Sequence, residues 1–254
     1  MFNLHGKKGL VVGVANNHSI AYGCAKAFDL CGADLAITYM NAKAEPHVRP
    51  LAEILGATII ESLDVEQPGQ LEALFKLIEE KWGRLDFLLH SIAFAPKDDL
   101  HGRVTDSSRD GFIRAMDISC HSFVRMAKLA EPLMKDGGCL LTMSYMGADE
   151  VIDNYGIMGP VKAALQAVSR YLAAELGPRG IRVHAISPGP LQTRASSGIK
   201  EFDKLMEKAV ERAPLHTLVS IEDVGALSAY LVSDIAKSLT GSTIHIDGGY
   251  HIVG

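Results

Sequence analysis

The sequence has few cysteines, no long basic run and no long apolar stretch, and each absence excludes a class of protein. Its four cysteines form no C-x-x-C pair and its ten histidines form no H-E-x-x-H cluster, so neither a metal site nor a disulfide framework is indicated. A formal net charge of −5 without a basic run argues against a nucleic-acid or anionic-membrane partner. No apolar stretch approaches the roughly 20 residues that cross a bilayer, and the N-terminal residues do not follow the order of a secretory signal. We therefore expect a cytoplasmic protein that binds neither nucleic acid nor membrane.

What the sequence does contain is a regular alternation of short apolar runs and longer segments with helical periodicity. The chain of 254 residues is 48% hydrophobic and 22% charged, which is typical of a globular protein. The apolar runs predict seven strands, at 9–13, 34–39, 58–62, 85–90, 139–143, 182–187 and 243–247. Helical periodicity lies between them, at 19–31, 71–82, 111–134, 156–176 and 221–232. This order predicts one α/β domain over residues 1–254, with a Rossmann-like, doubly wound sheet of mainly parallel strands flanked by helices.

One region, at about 191–214, interrupts this alternation. It places small residues and a polar helix, 200–212, before the last strand. We expect this insertion to cover a bound substrate.

The first strand ends at Gly13, and the following turn leads into the first helix through Ala15, Ser19 and Ile20. In a doubly wound fold, the N–H groups at this helix N-terminus attract the pyrophosphate of a dinucleotide. A strict G-x-G-x-x-G motif is absent, so an ordinary strand-to-helix turn is an equal alternative for this segment taken alone. Two further strand ends favour the dinucleotide, and they read Asp64-Val65 and Ser91-Ile92-Ala93. An aspartate at a strand end can also simply cap the next helix.

The segment after the second strand bears on the choice of coenzyme. It contains Met40 and Lys43 but neither the acidic residue that binds an NAD ribose nor an arginine for a 2′-phosphate. We expect NADH, while Lys43 leaves NADPH open.

The most specific local signal is a tyrosine, Tyr155, followed seven residues later by Lys162. Seven residues are nearly two helical turns, so on one helix the phenol and the ammonium share a face. Such a pair is common by chance, and a surface pair is the alternative. Its position after the fifth predicted strand favours a site.

Around these residues the chain resembles the short-chain dehydrogenase/reductase superfamily over nearly its whole length. More narrowly, it resembles the bacterial enoyl-acyl carrier protein reductases, of the NADH-dependent type. That likeness rests on Gly13-Val14-Ala15 with Ser19-Ile20-Ala21-Tyr22-Gly23, on His90-Ser91-Ile92-Ala93-Phe94-Ala95-Pro96, on Asp117-Ile118-Ser119, and on the paired tyrosines Tyr145 and Tyr155.

The resemblance implies reduction of trans-2-enoyl thioesters by hydride transfer from NADH in fatty acid synthesis. Tyr155 would donate to the thioester oxygen and Lys162 would hold the nicotinamide ribose, while Tyr145 would lie beside the substrate as an aromatic wall or in proton chemistry. The cofactor site would comprise Gly13, Ala15, Ser19, Ile20, Met40, Asp64, Val65, Ser91, Ile92, Ala93, Lys162, Leu191 and Thr193. An apolar slot for the acyl chain would comprise Ala95, Tyr145, Met158, Ala195, Ile199 and Phe202, although Ile199 and Phe202 could instead be ordinary core contacts.

The resemblance also implies partners. An acyl carrier protein is acidic, and a helix face with Lys200, Lys204 and Lys208 could bind it, although acidic residues are interleaved and a solvated charged face is the alternative. The family further implies a homotetramer, with the apolar C-terminal end buried at an interface.

Several residues depart from the family pattern. Met40 stands where glutamine is expected, Pro188 where alanine is expected and Arg194 where an apolar residue is expected, and Pro160 lies inside the predicted catalytic helix. These departures leave coenzyme preference and acyl specificity open. Thr142, near the serine position of carbonyl-reducing relatives, keeps a carbonyl or alcohol oxidoreductase as an alternative. A non-enzymatic dinucleotide-binding regulator is a second alternative.

Overall fold

The computed structural model describes residues 3–193 and 202–253, and a seven-stranded sheet forms its centre. The strands are β1 (Lys8–Val12), β2 (Asp34–Tyr39), β3 (Ile59–Ser62), β4 (Phe87–His90), β5 (Gly138–Met143), β6 (Ile181–Pro188) and β7 (Thr243–Ile246). Their order in the sheet is β3-β2-β1-β4-β5-β6-β7, and each neighbouring pair is parallel. The predicted doubly wound sheet is confirmed, with every strand end within two residues of its predicted position.

Helices cover both faces of the sheet. They are α1 (Ile20–Leu30), α2 (Glu45–Ile54), α3 (Gln70–Trp82), α4 (Lys97–His101), α5 (Arg109–Met116), α6 (Ser122–Ala130), α7 (Met158–Leu176), α8 (Phe202–Arg212) and α9 (Ile221–Val232). Short 3-10 turns lie at Val104–Asp106, Glu131–Leu133, Met146–Ala148, Gly177–Arg179, Asp234–Ala236 and Tyr250–Ile252. Apolar residues of α1, α2 and α9 form one core, and those of α3, α5, α6 and α7 form the other. None of the helices in the described ranges has the length and apolarity to span a bilayer.

The strand order places a crevice at the carboxyl edge of the sheet. β1 lies between β2 and β4, with Val11 opposite Ile37 on one side and Leu89 on the other. Strand order reverses at this point, so the connections leave β1 and β4 towards opposite faces and leave space between them. Of the predicted cofactor residues, Gly13, Met40 and Ser91 directly follow the ends of these three strands.

The helix predicted at 111–134 is confirmed as an unbroken helical segment, but it contains a π-helical turn that the sequence did not predict. The chain forms α5, the π-helical turn at Asp117–His121, and α6. Within this wide turn the Ser119 hydroxyl accepts from the Phe94 N–H over 2.9 Å and donates to the Phe94 carbonyl over 3.1 Å. Apolar periodicity does not reveal such a turn, because it inserts a single residue into an otherwise helical segment.

The predicted helix at 156–176 begins later than expected, at Met158. Asn154 and Gly156 have φ angles of 61° and 52°, so Tyr155 lies in a turn that precedes α7. A Cβ atom at Gly156 would lie 2.5 Å from the Leu100 carbonyl oxygen, which explains the glycine. The argument that Tyr155 and Lys162 share a face of one helix is therefore wrong, because only Lys162 lies on α7.

Pro160 proves compatible with helix α7. It is the third residue of α7, where the missing N–H would have no partner within the helix. The structure also contains α2 and α4, which were not predicted. Pro46 and Pro50 of α2 are typical of irregular chain, and α4 is only five residues long.

Candidate active site

The turn after β1 has the geometry of a dinucleotide cradle. Gly13 has a φ angle of 111°, and a Cβ atom there would lie 2.1 Å from the Ser91 carbonyl oxygen. The turn therefore lies directly against the loop after β4, and only glycine permits this approach. The Ser19 hydroxyl donates to the Asn16 carbonyl over 2.6 Å, and no side chain caps α1 in the described structure. The N-terminus of α1 is thus available to an anion such as a pyrophosphate.

The other predicted cofactor residues follow neighbouring strands at the same edge. The Asp64 carboxylate accepts from the Glu66 N–H over 3.0 Å, so this aspartate closes a local turn before α3 begins. The Val65 carbonyl accepts from Arg125 over 2.9 Å. Met40 follows β2 and is 55% exposed. Leu191 is partly buried against the α1 side of the sheet, and Thr193 is partly exposed.

Lys162 is buried beside the end of β5. Its ammonium donates to the Met143 carbonyl over 2.5 Å, and the side chain is 5% exposed. Burial lowers the pKa of Lys162 to about 8, because an ammonium group loses hydration in the interior. Residues 144–149, which follow β5, are here called the Tyr145 loop. The remaining N–H donors of the Lys162 ammonium can bind a ligand next to the start of this loop.

Tyr145 and Tyr155 form an edge-to-face pair, with ring centroids 5.1 Å apart and an interplanar angle of 61°. Both are buried, and burial raises the pKa of each phenol above its usual value, with each pKa raised further by a neighbouring tyrosine. Both side chains are therefore protonated at neutral pH. The Tyr145 hydroxyl is buried and has no hydrogen-bond partner among the described residues. A buried phenol of this kind is suited to bind a ligand oxygen.

The predicted acyl-chain residues are only partly described. Met158 begins α7 and belongs to the same apolar cluster as the two tyrosines, and Ala95 packs against that cluster. Phe202, at the start of α8, is buried. Ala195 and Ile199 lie outside the described residues, as does the rest of 194–201 within the predicted covering insertion at about 191–214.

Sequence reasoning missed the polar groups that hold these side chains. Gln166 donates to the Ser144 hydroxyl over 3.0 Å and to Asp149 over 3.1 Å, so it ties both ends of the Tyr145 loop to α7. Its position one turn after Lys162 is a signal that could have identified it. Tyr250, near the C-terminus, contributes to the raised pKa of Tyr145 and so lies beside it. No local pattern indicates that contact.

Comparisons with known proteins agree with this geometry. The family model described as enoyl-(acyl carrier protein) reductase matches residues 13–251. The enoyl-[acyl-carrier-protein] reductase [NADH] 1 of Rhizobium meliloti is 49% identical over 251 residues, which are 99% of this chain and 92% of that protein.

Solved structures are similar over the whole chain. The enoyl-(acyl-carrier-protein) reductase of Anaplasma phagocytophilum in complex with NAD has a TM-score of 0.95 at 45% identity, covering 99% of this chain and 96% of that one. The enoyl-acyl carrier protein reductase of Bacillus cereus, with NADP+ and an indole naphthyridinone, has a TM-score of 0.97 at 42% identity, covering 100% of both chains.

Proposed function

The chain belongs to the family of enoyl-(acyl carrier protein) reductases, and we propose that it reduces the carbon-carbon double bond of trans-2-enoyl thioesters with NADH in fatty acid synthesis. The observation that carries this proposal is the pair of buried, protonated tyrosines, Tyr145 and Tyr155. They follow the end of β5, where the Met143 carbonyl binds the Lys162 ammonium. The chemistry that NADH supplies when bound is a hydride for the β-carbon, which leaves negative charge on the thioester oxygen as an enolate.

The protein's own task is to stabilise that oxygen. Tyr155 donates a hydrogen bond to it, because burial keeps the phenol protonated. The Met143 carbonyl fixes the position of the Lys162 ammonium, which would hold the nicotinamide ribose and add positive charge near the enolate. The close approach of Gly13 to Ser91 and the uncapped N-terminus of α1 fit the pyrophosphate.

The first test is oxidation of NADH and, separately, NADPH by the native chain with crotonyl and dodecenoyl thioesters. We expect turnover with NADH, because the segment 40–44 directly after β2 contains no arginine for a 2′-phosphate, and the guanidinium of Arg49 in α2 is paired with Glu45 over 2.7 Å. Binding of both coenzymes without turnover of either thioester would refute the proposal. Faster turnover with NADPH would overturn the coenzyme assignment alone, and Lys43 would then be the first residue to examine.

The carbonyl-reducing alternative loses its structural support. Thr142 was its basis, but the Thr142 hydroxyl is fully buried and lies 2.9 Å from His90 Nδ1. It is therefore engaged in a hydrogen bond within the core. Turnover of ketones or alcohols, and none of enoyl thioesters, would restore that alternative.

Replacing Gly147 with alanine tests the position of Tyr155. A Cβ atom there would lie 2.5 Å from Tyr155 Cδ1, so the phenol ring must shift. We expect kcat to fall on the order of tenfold or more, since small displacements of reacting groups are costly. Gly177→Ala is the matched control, because a Cβ atom at Gly177 meets no atom within 4 Å. Native kcat in Gly147→Ala would contradict the assigned role of Tyr155.

An acyl carrier protein is the proposed carrier of the substrate. Lys204 and Lys208 are exposed one turn apart on α8, while Lys200, the third member of the predicted patch, lies outside the described residues. We expect Lys204→Glu with Lys208→Glu to lower kcat/KM about tenfold for a carrier-protein thioester, through lost electrostatic attraction. The coenzyme A thioester should be unaffected. Lys237→Glu, an exposed lysine near the amino ends of β5 and β6, is the control, and an equal loss with both thioesters would argue against docking on α8.

We further propose a cytoplasmic homotetramer. Leu215 and Ile252 are each 69% exposed and line a cleft of about 400 Å³ near the C-terminal end. Exposed apolar surface of this kind is typical of a protein interface. Sedimentation of the purified chain tests the proposal, and a monomer would overturn it.

A further inference from the structure

A chain of hydrogen bonds runs through the buried side chain of His90. Its Nδ1 atom lies 2.9 Å from Thr142 Oγ1 and its Nε2 atom lies 2.8 Å from Ser122 Oγ. Ser122 in turn donates to the Ile118 carbonyl over 2.6 Å. His90, Thr142 and Ser122 have no exposed surface. Both imidazole nitrogens are therefore satisfied inside the core.

These contacts fix the tautomer of the imidazole. Burial and then the positive charge of Lys162 lower the pKa of His90 to about 3, so the ring is neutral and carries one proton. The single Ser122 hydroxyl proton is directed to Ile118, and its oxygen must therefore accept from an Nε2–H group. Nδ1 then carries the lone pair and accepts from the Thr142 hydroxyl.

The partners of His90 belong to the segments that build the site. His90 ends β4 and is followed by the cofactor loop Ser91-Ile92-Ala93. Thr142 is followed by Met143, whose carbonyl anchors Lys162. The imidazole thus bridges the two neighbouring strand ends from which the cofactor loop and the Lys162 anchor depart.

The third partner ties the bridge to the π-helical turn. Ser122 follows this turn directly, and Ser119 within it clamps both the N–H and the carbonyl of Phe94. The cofactor loop is therefore held at its start by His90 and at its end by Ser119. One side chain, His90, connects all three segments.

We propose that His90, as the Nε2–H tautomer, is a positioning residue that sets the spacing between the cofactor loop at 91–93 and the Met143 carbonyl that anchors Lys162. This inference rests on the proposed reductase function. His90 acts through these backbone segments and does not touch the reacting atoms. Hydride transfer depends steeply on the separation of donor and acceptor, so a small change in this spacing lowers the rate.

The tautomer is tested first, in the native protein, by long-range proton–nitrogen correlation spectra of the ¹⁵N-histidine-labelled chain. Two buried histidines, His90 and His184, have pKa values lowered to about 3 and about 4, and His90 is identified as the one whose signals change in Thr142→Val. We expect that histidine to remain a neutral Nε2–H tautomer from about pH 5 to about pH 9. An Nδ1–H tautomer, or titration of this histidine within that range, would overturn the proposal.

Two variants then remove one hydrogen bond each. Thr142→Val removes the donor to Nδ1 with little change of shape, and Ser122→Ala removes the acceptor of Nε2–H. We expect kcat to fall on the order of tenfold in both, with the KM for the enoyl thioester changed less than about twofold. Thr142→Ser keeps the hydroxyl and should restore most of kcat.

Ser228→Ala is the matched control for Ser122→Ala. Ser228 is also a fully buried helix serine, and it donates to the Val224 carbonyl over 2.7 Å, four residues earlier, on the other face of the sheet. If Ser122→Ala and Thr142→Val lose no more kcat than Ser228→Ala, the His90 chain has only a structural role. If the native chain does not reduce enoyl thioesters, the proposed function fails. In that case the positioning role of His90 is tested by the dissociation constant of NADH alone. That role predicts several-fold weaker NADH binding in Thr142→Val than in Thr142→Ser.

Discussion

Tyr155→Phe is expected to lower kcat for enoyl-thioester reduction about 10³-fold, the range found when a proton donor to a developing oxyanion is removed. The phenol is buried and its pKa is raised above the usual value, so it is a hydrogen-bond donor at neutral pH. Phenylalanine keeps the ring that packs against Tyr145 at 5.1 Å, and NADH affinity and folding should therefore be retained. Steady-state kinetics with a crotonyl thioester and a fluorescence titration of NADH measure the two effects separately.

Tyr145→Phe is the matched comparison, and it decides the role that the sequence leaves open. The Tyr145 hydroxyl is buried without a partner in the described residues, which costs roughly 1–3 kcal/mol. Its removal should raise the free energy of unfolding by about 1 kcal/mol and lower kcat less than Tyr155→Phe. An equal loss of kcat would place Tyr145 on the reacting oxygen. Near-native kcat in Tyr155→Phe would refute the assignment of the donor.

The sheet could be predicted from the sequence because its strands are covered by helices on both faces. β4 is buried throughout, and such strands appear as unbroken apolar runs. α2 escaped prediction because its core contacts are few and Pro46 and Pro50 indicate irregular chain. Apolar runs and helical periodicity therefore predicted the sheet and most of the helices that cover it, but not α2.

The site was predictable only as far as single motifs reach. The family resemblance named Tyr145, Tyr155 and Lys162, and the structure packs the two tyrosines against each other. The helical spacing argument failed because Gly156 turns the chain before α7. The His90 partners Thr142 and Ser122 are 52 and 32 residues away in sequence. No sequence period connects residues at such separations. Only the parallel register of β4 with β5 places His90 opposite Thr142.

Lys162→Met is the second large effect that we expect, a loss of about a hundredfold or more in kcat/KM for NADH. The variant keeps an apolar side chain of similar length in a buried position but removes the charge and the donor to the Met143 carbonyl. Lys128→Met, on the exposed side of α6, is the control for loss of one positive charge. Steady-state kinetics at varied NADH concentration measure the effect, and retention of native kcat/KM would exclude Lys162 from the site.

The pH dependence distinguishes the charge of Lys162 from its bulk. Its pKa is lowered from an ordinary 10.5 to about 8, while its neighbours His90 and Cys120 stay neutral because burial lowers the pKa of the imidazole and raises that of the thiol. The ammonium therefore predominates below pH 8, and kcat/KM for NADH, which reports the free protein, should fall as pH rises through about 8.

The stability of the fold should change in the opposite direction and rise with pH. The unfolded chain holds the Lys162 proton up to about pH 10.5, whereas the folded chain releases it at about pH 8, so the cost of burying the ammonium is lost between pH 8 and 10.5. The melting temperature of the native chain should accordingly rise relative to that of Lys162→Met over this range, and parallel dependences of the two melting temperatures on pH would show that the pKa of Lys162 is not lowered in the folded protein.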